Sequence, residues 1–451
     1  MNAMLKNITR EANFLSLAGN LAVSFFGFTG FALLARSFSP LQFGEWVLFL
    51  AGVALADMLR FGVTNTAVIR YLSGAEKKEG FRLIGSFILI VLTVTVIISF
   101  LIWSCYLLFP GPIDKTGYAL FFIWYPILAF ISIPFNTAQV ILQAELRFDR
   151  ILLINALSAG GFFLVVLINY FFLDLTLTQI VLAMIGINLL TSLFCILMGW
   201  DGIRHILHAS RKNNKLLLDF GKYTTFTLIG TNLLRSADTL IISLSPLGMA
   251  AVALYSIPMK LTELQQIPLR SFAATAFPKM SKASIQGKVP EFNKLFYTYS
   301  GAMTYLFAFI SLVTFVFADF FVLVAGGRQY LGVDPVTGAS AADIVRIFSL
   351  YGLLLPVERM TGIGLDSINK PQWNFRKVMY MLMANVAGDL VAVFLFHSLL
   401  GVAVASIVFT LFGIWLGFYF MGKQAAMERK RIFSAGIEFY RLVFRRLKEP
   451  A

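Results

Sequence analysis

The chain has 451 residues, of which 58% are hydrophobic and only 13% are charged. With a mean hydropathy of +0.79, it carries more apolar surface than the interior of a soluble protein of this length can hide. The net charge of +14 comes without a basic patch on a polar domain, which excludes nucleic acid as the expected partner. We therefore expect a protein whose solvent is lipid.

Apolar stretches long enough to cross a bilayer recur from the first span to the last. A helix needs about 20 such residues to cross a hydrocarbon core about 30 Å thick, and its backbone groups then pair internally. The sequence predicts an all-α protein with about 12 transmembrane helices. The predicted spans are 12–36, 41–72, 81–109, 117–143, 150–172, 177–200, 217–244, 247–277, 293–325, 341–367, 374–396 and 399–422.

The Lys and Arg residues predict the orientation of these spans. Most of the 37 basic residues fall in loops on one side, whereas the opposite loops hold only Arg36, Lys115 and Arg328. Because loops rich in Lys and Arg stay in the cytoplasm, both termini are predicted to be cytoplasmic. The first span follows a short polar stretch without a cleavage site, so we expect it to be retained.

The two halves of the chain share a weak repeat. Ser39-Pro40-Leu41 and Ser245-Pro246-Leu247 each lie between the first and second span of their half. This predicts two six-helix lobes, residues 1–200 and 217–422, joined by a basic linker at 201–216. Repeats of equal orientation are related by an axis along the membrane normal, and transporters built in this way bind substrate between them.

Residues 423–451 form a tail of a different kind, whose apolar and basic residues recur at helical spacing on separate faces. The apolar residues are Phe433, Ile437, Tyr440, Phe444 and Leu447, and the basic ones are Arg441, Arg445 and Lys448. The pattern indicates an amphipathic helix lying on an anionic leaflet. The alternative is a basic anchor without a role in transport.

Five segments, taken in order, resemble a known family. They are GFALLARSFSPLQFGEWVLFLAGVALADMLRFGVTNTAVIRYLS, ILQAELRFDR, NLLRSADTLIISLSPLGMAAVALYS, VLVAGGRQYLG and LFHSLLGVAVASIVF. Their order and spacing are similar to those of the multidrug, oligosaccharidyl-lipid and polysaccharide exporters, and within these to the Wzx-type lipid-linked oligosaccharide flippases. The resemblance covers essentially the whole chain.

The resemblance implies a two-lobed transporter that alternates between inward-open and outward-open states. It implies that an oligosaccharide on undecaprenyl diphosphate moves from the cytoplasmic to the periplasmic leaflet of a bacterial inner membrane, as in O-antigen synthesis. A monomer is expected, with polysaccharide polymerase machinery as a candidate partner. A related branch flips the peptidoglycan precursor and has two further C-terminal helices. Two alternatives remain open, an ion-coupled multidrug exporter of the same fold and a membrane enzyme or assembly partner of polysaccharide synthesis.

Several basic residues fall inside the predicted spans. Each would cost about 2.5–3.5 kcal/mol facing lipid at the midplane, so we expect them to face a watery cavity, the protein or a helix end. Arginine can hold a phosphate with two parallel hydrogen bonds, and amides or hydroxyls can pair with sugars. The predicted phosphate contacts are Arg60, Arg235, Lys260, Arg270 and Arg359, and the predicted sugar contacts are Asn20, Gln143 and Thr231.

Three of these cations have an acidic neighbour three residues away, which leaves a structural alternative open. Asp57 with Arg60, Arg235 with Asp238, and Lys260 with Glu263 are then local pairs that make buried charge tolerable. Arg270 lacks an acidic residue at that spacing and is the clearest candidate for substrate contact.

The sequence contains no nucleotide-binding fingerprint, and its histidines and cysteines lack the spacing of a metal site. We therefore expect no cofactor and no enzymatic activity. The candidates for coupling to Na⁺ or H⁺ are the acids inside the spans, namely Asp57, Asp238, Glu263, Glu358, Asp366 and Asp389. The membrane potential is a second candidate, because moving two negative charges outward is favoured by about 4–5 kcal/mol per 100 mV.

Overall fold

The computed structural model describes residues 22–62, 64–72, 75–145, 147–423, 428 and 430–448. Throughout these residues the secondary structure is helical, with no strand, which confirms the all-α prediction. The chain divides into two compact units, Met1–Asn232 and Leu233–Ala451.

The described residues of the first unit form ten helices and the start of an eleventh. They are α1 Ala22–Ser37, α2 Pro40–Gly62, α3 Asn65–Leu72, α4 Lys77–Leu108, α5 Pro110–Lys115, α6 Ala119–Ile131, α7 Ile133–Ala144, α8 Phe148–Asn155, α9 Gly161–Phe172, α10 Leu177–Leu197 and α11 Arg211–Ser243. A π-helical turn, Ala156–Gly160, joins α8 to α9, and a 3₁₀ segment, Ile203–His208, precedes α11.

In its described part, the second unit contains the remainder of α11 and seven further helices. They are α12 Gly248–Ile285, α13 Val289–Val316, α14 Ala318–Gly326, α15 Ala341–Ser367, α16 Pro371–Leu390, α17 Leu399–Gly422 and α18 Arg431–Lys448. A π-helical turn, Val391–Leu395, extends α16.

Each predicted span overlaps one or more helices in the described part of the chain, but not all of these helices are strongly apolar. Seven stretches in the described part are long and apolar enough to cross a membrane, or eight if the bent pair α6 and α7 is one span. The other predicted spans are α1, which is short, and α11, α12 and α15. The last three contain most of the predicted site residues, which lowers their hydropathy.

The predicted span 117–143 is bent by 52° between α6 and α7. Ser132 lies at the break, and Pro134 follows in the first turn of α7. Because proline lacks a backbone N–H and crowds the preceding turn, it favours a new helix start over continuation of the old one. The break leaves carbonyl groups at the end of α6 without helical partners.

The predicted linker 201–216 comprises the 3₁₀ segment and the start of α11, whereas the two compact units meet at Asn232–Leu233, inside α11. Within the first unit, the 3₁₀ segment packs on α4, where the backbone of His205 and Ala209 lies against Gly85. Because any side chain at Gly85 would overlap this backbone, the contact requires glycine. The division into lobes at 201–216 stays a prediction.

Candidate functional site

Arg60, on α2, is at the centre of a polar network in the first unit. Its Nη1 donates to Oδ1 of Asp57 at 2.6 Å and its Nε donates to Oγ1 of Thr95 at 2.9 Å. Its Nη2 donates to the carbonyl oxygen of Ala129, one of the groups freed at the end of α6. The hydroxyl of Tyr125 donates to the same oxygen of Asp57 at 3.0 Å. The network therefore joins α2 and α4 to the bend between α6 and α7.

The side chain of Arg60 is fully buried, whereas that of Asp57 is 34% exposed. Buried guanidinium groups are stable only when their donors have acceptors, and protein atoms supply them here. In this conformation Arg60 forms the local pair of the structural alternative, with further partners on other helices. Phosphate contact through Arg60 would require the network to open, and stays a prediction.

A second polar cluster lies in the other unit and brings two acids together. Asp238, on α11, accepts hydrogen bonds from the Tyr255 hydroxyl at 2.6 Å and from Nδ2 of Asn385 at 3.2 Å. That same amide nitrogen also donates to Oδ2 of Asp389 at 3.1 Å. The two carboxyl groups therefore share one amide donor. We call Asp238, Tyr255, Asn385 and Asp389 the acidic cluster.

The acidic cluster contains oxygens that no described group satisfies. Oδ1 of Asn385 and Oδ1 of Asp389 are buried and lack a hydrogen-bond partner among the described residues. A cavity of about 70 Å³ lies beside Asp238. It is lined by Asp238, Met259, Thr262, Glu263, Gln266, Phe348, Tyr351, Ser406 and Phe409. Carboxylate, amide and hydroxyl oxygens are the ligands of hard cations, and a proton would equally relieve two adjacent carboxylates.

The remaining ion-coupling candidates are paired with neighbouring side chains. Glu263 accepts from Nζ of Lys260 at 2.9 Å, with both side chains about one third exposed. Asp366 accepts two hydrogen bonds from the Nδ2 of Asn374, at 3.0 and 3.1 Å. Lys260 and Glu263 thus form the local ion pair of the structural alternative. Both oxygens of Asp366 already accept a hydrogen bond, which leaves them less available to an ion.

Lys377 is a buried cation that was not among the predicted site residues. It lies inside α16, within the predicted span 374–396, and its side chain is only 1% exposed. Its Nζ donates to Oε1 of Glu358 at 2.8 Å and to Oγ1 of Thr361 at 3.2 Å. The sequence did contain a signal for this burial. The buried residues of α16 recur every four positions, at Lys377, Met381, Asn385 and Asp389.

The other predicted contacts fall into two groups. Arg270, Arg359 and Gln143 have exposed side chains. Asn20 lies outside the described residues, as do the side chains of Thr231 and Arg235, although α11 includes both of these positions. Among the described side chains of the first unit, Gln143 does not join the network of Arg60.

The sequence profile of the polysaccharide biosynthesis protein family matches residues 10–284, more than half of the chain. The chain belongs to that family. A comparison with curated protein sequences finds no match.

Solved structures show the fold of this family member. The lipid II flippase MurJ aligns with a TM-score of 0.71 and 12% identity, over 97% of this chain and 93% of the flippase. A multidrug resistance MATE family transporter of the MOP superfamily aligns with a TM-score of 0.72 and 15% identity, over 94% and 98%. A MOP superfamily transporter from Pyrococcus furiosus, whose binding pocket is described as reversed in polarity, gives 0.54 and 18%, over 94% and 93%.

These comparisons show the polysaccharide biosynthesis family and confirm the predicted fold. The polysaccharide biosynthesis family member is a multi-pass membrane protein with the two-lobed MOP fold, and its structural relatives are flippases and transporters rather than enzymes.

Proposed function

We propose that the protein is a flippase for a lipid-linked oligosaccharide on undecaprenyl diphosphate. It moves this substrate by alternating access from the cytoplasmic to the outer leaflet of the bacterial inner membrane. The observation that supports this most strongly is the match to the polysaccharide biosynthesis family over residues 10–284. The fold, which MurJ and the MATE transporters share, is compatible with either a lipid or a drug as substrate.

The exposed cations of the second unit are the proposed phosphate contacts. Arg270 and Arg359 have exposed side chains, and Lys260 is one third exposed beside Glu263. Because a guanidinium offers parallel donors to a phosphate, we assign Arg270 the leading role, with Arg235 in support. Gln143, Thr231 and Asn20 remain the proposed sugar contacts.

Thermal stabilisation of the purified protein by candidate ligands tests the substrate class. The ligands are an undecaprenyl-diphosphate sugar, an undecaprenyl monophosphate and a panel of cationic drugs. We expect the diphosphate to raise the midpoint of unfolding, because a ligand that binds only the folded state stabilises it. Arg270→Ala should weaken the apparent affinity about tenfold or more, since it removes a charged hydrogen-bond donor.

The matched control is Arg328→Ala, which removes an exposed arginine from a predicted loop on the opposite side. It should leave stabilisation by the diphosphate unchanged. Stabilisation by cationic drugs together with indifference to the diphosphate would contradict the flippase and support the drug exporter.

We further propose that the acidic cluster binds the coupling cation, Na⁺ or H⁺. Its support is a pair of acids that share one amide partner, with an unsatisfied buried oxygen on Asp389 and another on Asn385, and a small cavity beside Asp238. Buried acids in such surroundings are costly and frequently mark ion paths. For the other predicted acids, Asp57, Glu263, Glu358 and Asp366, we propose structural roles, because each contacts a neighbouring cation or amide.

Unfolding midpoints measured in sodium chloride and in choline chloride test the coupling cation. We expect Na⁺ to raise the unfolding midpoint of the wild type. Asp389→Asn and Asp238→Asn should no longer be stabilised by Na⁺. Asp174→Asn, which changes an exposed loop residue, should be stabilised as the wild type is. An effect of pH without an effect of Na⁺, lost in the same two variants, would assign the site to protons. If Asp389→Asn and Asp174→Asn responded equally to Na⁺ and to pH, the proposed cation site would be wrong. The flippase assignment would not be affected.

A further inference from the structure

Helix α18 is fastened to α13 by close backbone contact. Gly436 packs directly against Gly301, where the backbone of α18 leaves no room for a side chain. Ile432 is 4% exposed and forms part of the hydrophobic core of the second unit. The Tyr440 hydroxyl donates to the carbonyl oxygen of Ala302 at 3.0 Å. One face of α18 is therefore committed to α13.

The other faces of α18 are exposed and differ in chemistry. Phe433 and Ile437 lie one turn apart on one flank of the helix and are 59% and 43% exposed. Arg431, Arg441 and Arg445 are exposed as well. Helices with an apolar flank beside a basic face bind at the surface of anionic membranes, because acyl chains accept the first and lipid phosphates attract the second.

Contacts between lysine and tyrosine side chains occur close to the place where α18 packs on α13. Nζ of Lys279 donates to the Tyr299 hydroxyl at 3.0 Å, and Tyr299 precedes Gly301 by two residues. At the end of α17, Nζ of Lys423 lies 4.5 Å from the centre of the Tyr419 ring. Tyrosines are enriched at the boundary between membrane and water. These tyrosines therefore favour lipid as the partner of the flank formed by Phe433 and Ile437.

A groove of about 650 Å³ between α13 and α18 adds a place for a headgroup. Its lining includes Lys294 from α13 and Arg431 from α18, together with the acidic Glu438. Arg431 is held at 2.8 Å from Glu428 and is 62% exposed. Two cations on facing helices can attract a single phosphodiester, because both point charges add at its position.

We propose that α18 is a lipid-binding helix that attaches the second unit to an anionic leaflet. Phe433 and Ile437 enter the acyl region, Arg441 and Arg445 contact headgroups, and the groove at Lys294 and Arg431 takes one headgroup. By the predicted orientation this is the cytoplasmic leaflet. The proposal is independent of the transported substrate.

Hydrogen exchange of the α18 amides tests the proposal on the full-length protein in nanodiscs. One set of nanodiscs contains phosphatidylcholine alone, and the other contains phosphatidylglycerol as well. We expect anionic lipid to slow exchange in α18 about tenfold, since each basic residue near an anionic surface contributes on the order of 1 kcal/mol. Arg441→Gln/Arg445→Gln should lose this response while keeping its protection in phosphatidylcholine.

Two further variants complete the test. Arg211→Gln/Lys212→Gln removes two exposed basic residues from the start of α11, and should respond to anionic lipid as the wild type does. Gly436→Leu should expose the α18 amides in both bilayers, which shows that exchange reports on docking. Equal protection of wild-type α18 in both bilayers would overturn the proposal, and would mean that α13 alone holds the helix.

Discussion

The cation of Lys377 and the carboxylate of Glu358 depend on each other for burial. Lys377 is 1% exposed, and Glu358 supplies both a carboxylate and a backbone carbonyl to its Nζ. Removing one partner of a buried pair leaves an uncompensated charge and costs about 3–5 kcal/mol. Lys377→Met should therefore lower the unfolding midpoint of the purified protein strongly, which differential scanning fluorimetry measures directly.

The double variant Lys377→Met/Glu358→Gln separates this pairing from simple loss of packing. With both charges gone, most of the lost stability should return, because a neutral pair no longer has a desolvation penalty. If the stability lost by the double variant equalled the sum of the losses of Lys377→Met and Glu358→Gln, the two side chains would act independently.

Contacts between residues near in sequence could be predicted, and contacts between distant residues could not. The spacing of Asp57 and Arg60 suggested their pair as an alternative, and the pair is present. Asp238 and Asp389 lie on α11 and α16, and no pattern in one helix indicates the other. The burial of Lys377 was not predicted, because a lysine close to a proline helix start resembles a loop residue and its burial depends on its partner on α15.

At the scale of elements, the 3₁₀ segment Ile203–His208 depends on one glycine of α4. Gly85→Ala should displace the segment, because the new methyl group would overlap the backbone of His205. Limited trypsin digestion measures the displacement, since Arg204 lies in this segment and is exposed. Cleavage after Arg204 should become about tenfold faster or more, whereas Gly186→Ala, with nothing within 4 Å of its methyl group, should match the wild type.

The same segment should respond to pH through His205, whose ring stacks on Phe81 with centroids 4.2 Å apart. Burial, with a smaller contribution from His208, lowers the pKa of His205 below its usual 6.5. The folded segment then binds fewer protons than the displaced one, so its docking weakens as the pH falls from 6.5 through the folded pKa. Cleavage after Arg204 should accelerate over that range in the wild type, and His205→Phe should abolish the acceleration. A pH response that persists in this variant would assign it to another group.

Hydrophobic length predicted where helices occur, but not where they break. The span 117–143 is one apolar stretch in sequence and two helices in the structure, because Pro134 and the hydrogen-bond demands of Arg60 favour a break at Ser132. The helices α11, α12 and α15 fall below the hydropathy of simple spans because they contain polar and charged residues, which are tolerated because they have protein partners. Hydropathy cannot foresee this, since it depends on the residues that other helices contribute.

For the whole molecule, the distribution of basic residues predicts the orientation. In a variant with both native cysteines, Cys105 and Cys195, replaced by serine, Asp114→Cys should react with an impermeant thiol reagent in whole cells. Lys288→Cys should react only after the cells are opened, because its loop belongs to the basic side. The opposite pattern would invert the topology, and with it the leaflet assigned to α18.

The membrane potential should drive the proposed transport in the direction that the topology defines. A diphosphate headgroup carries about two negative charges, so an inside-negative potential of 100 mV favours its outward movement by about 4–5 kcal/mol. Proteoliposomes with a potassium diffusion potential and a labelled lipid-linked sugar measure this without an ion gradient. If the acidic cluster is the coupling site, Asp389→Asn should keep the response to potential and lose any response to a Na⁺ or H⁺ gradient. If transport did not respond to the potential or to either gradient, the proposed driving force would be wrong. The substrate class would still be tested by the ligand-binding experiment.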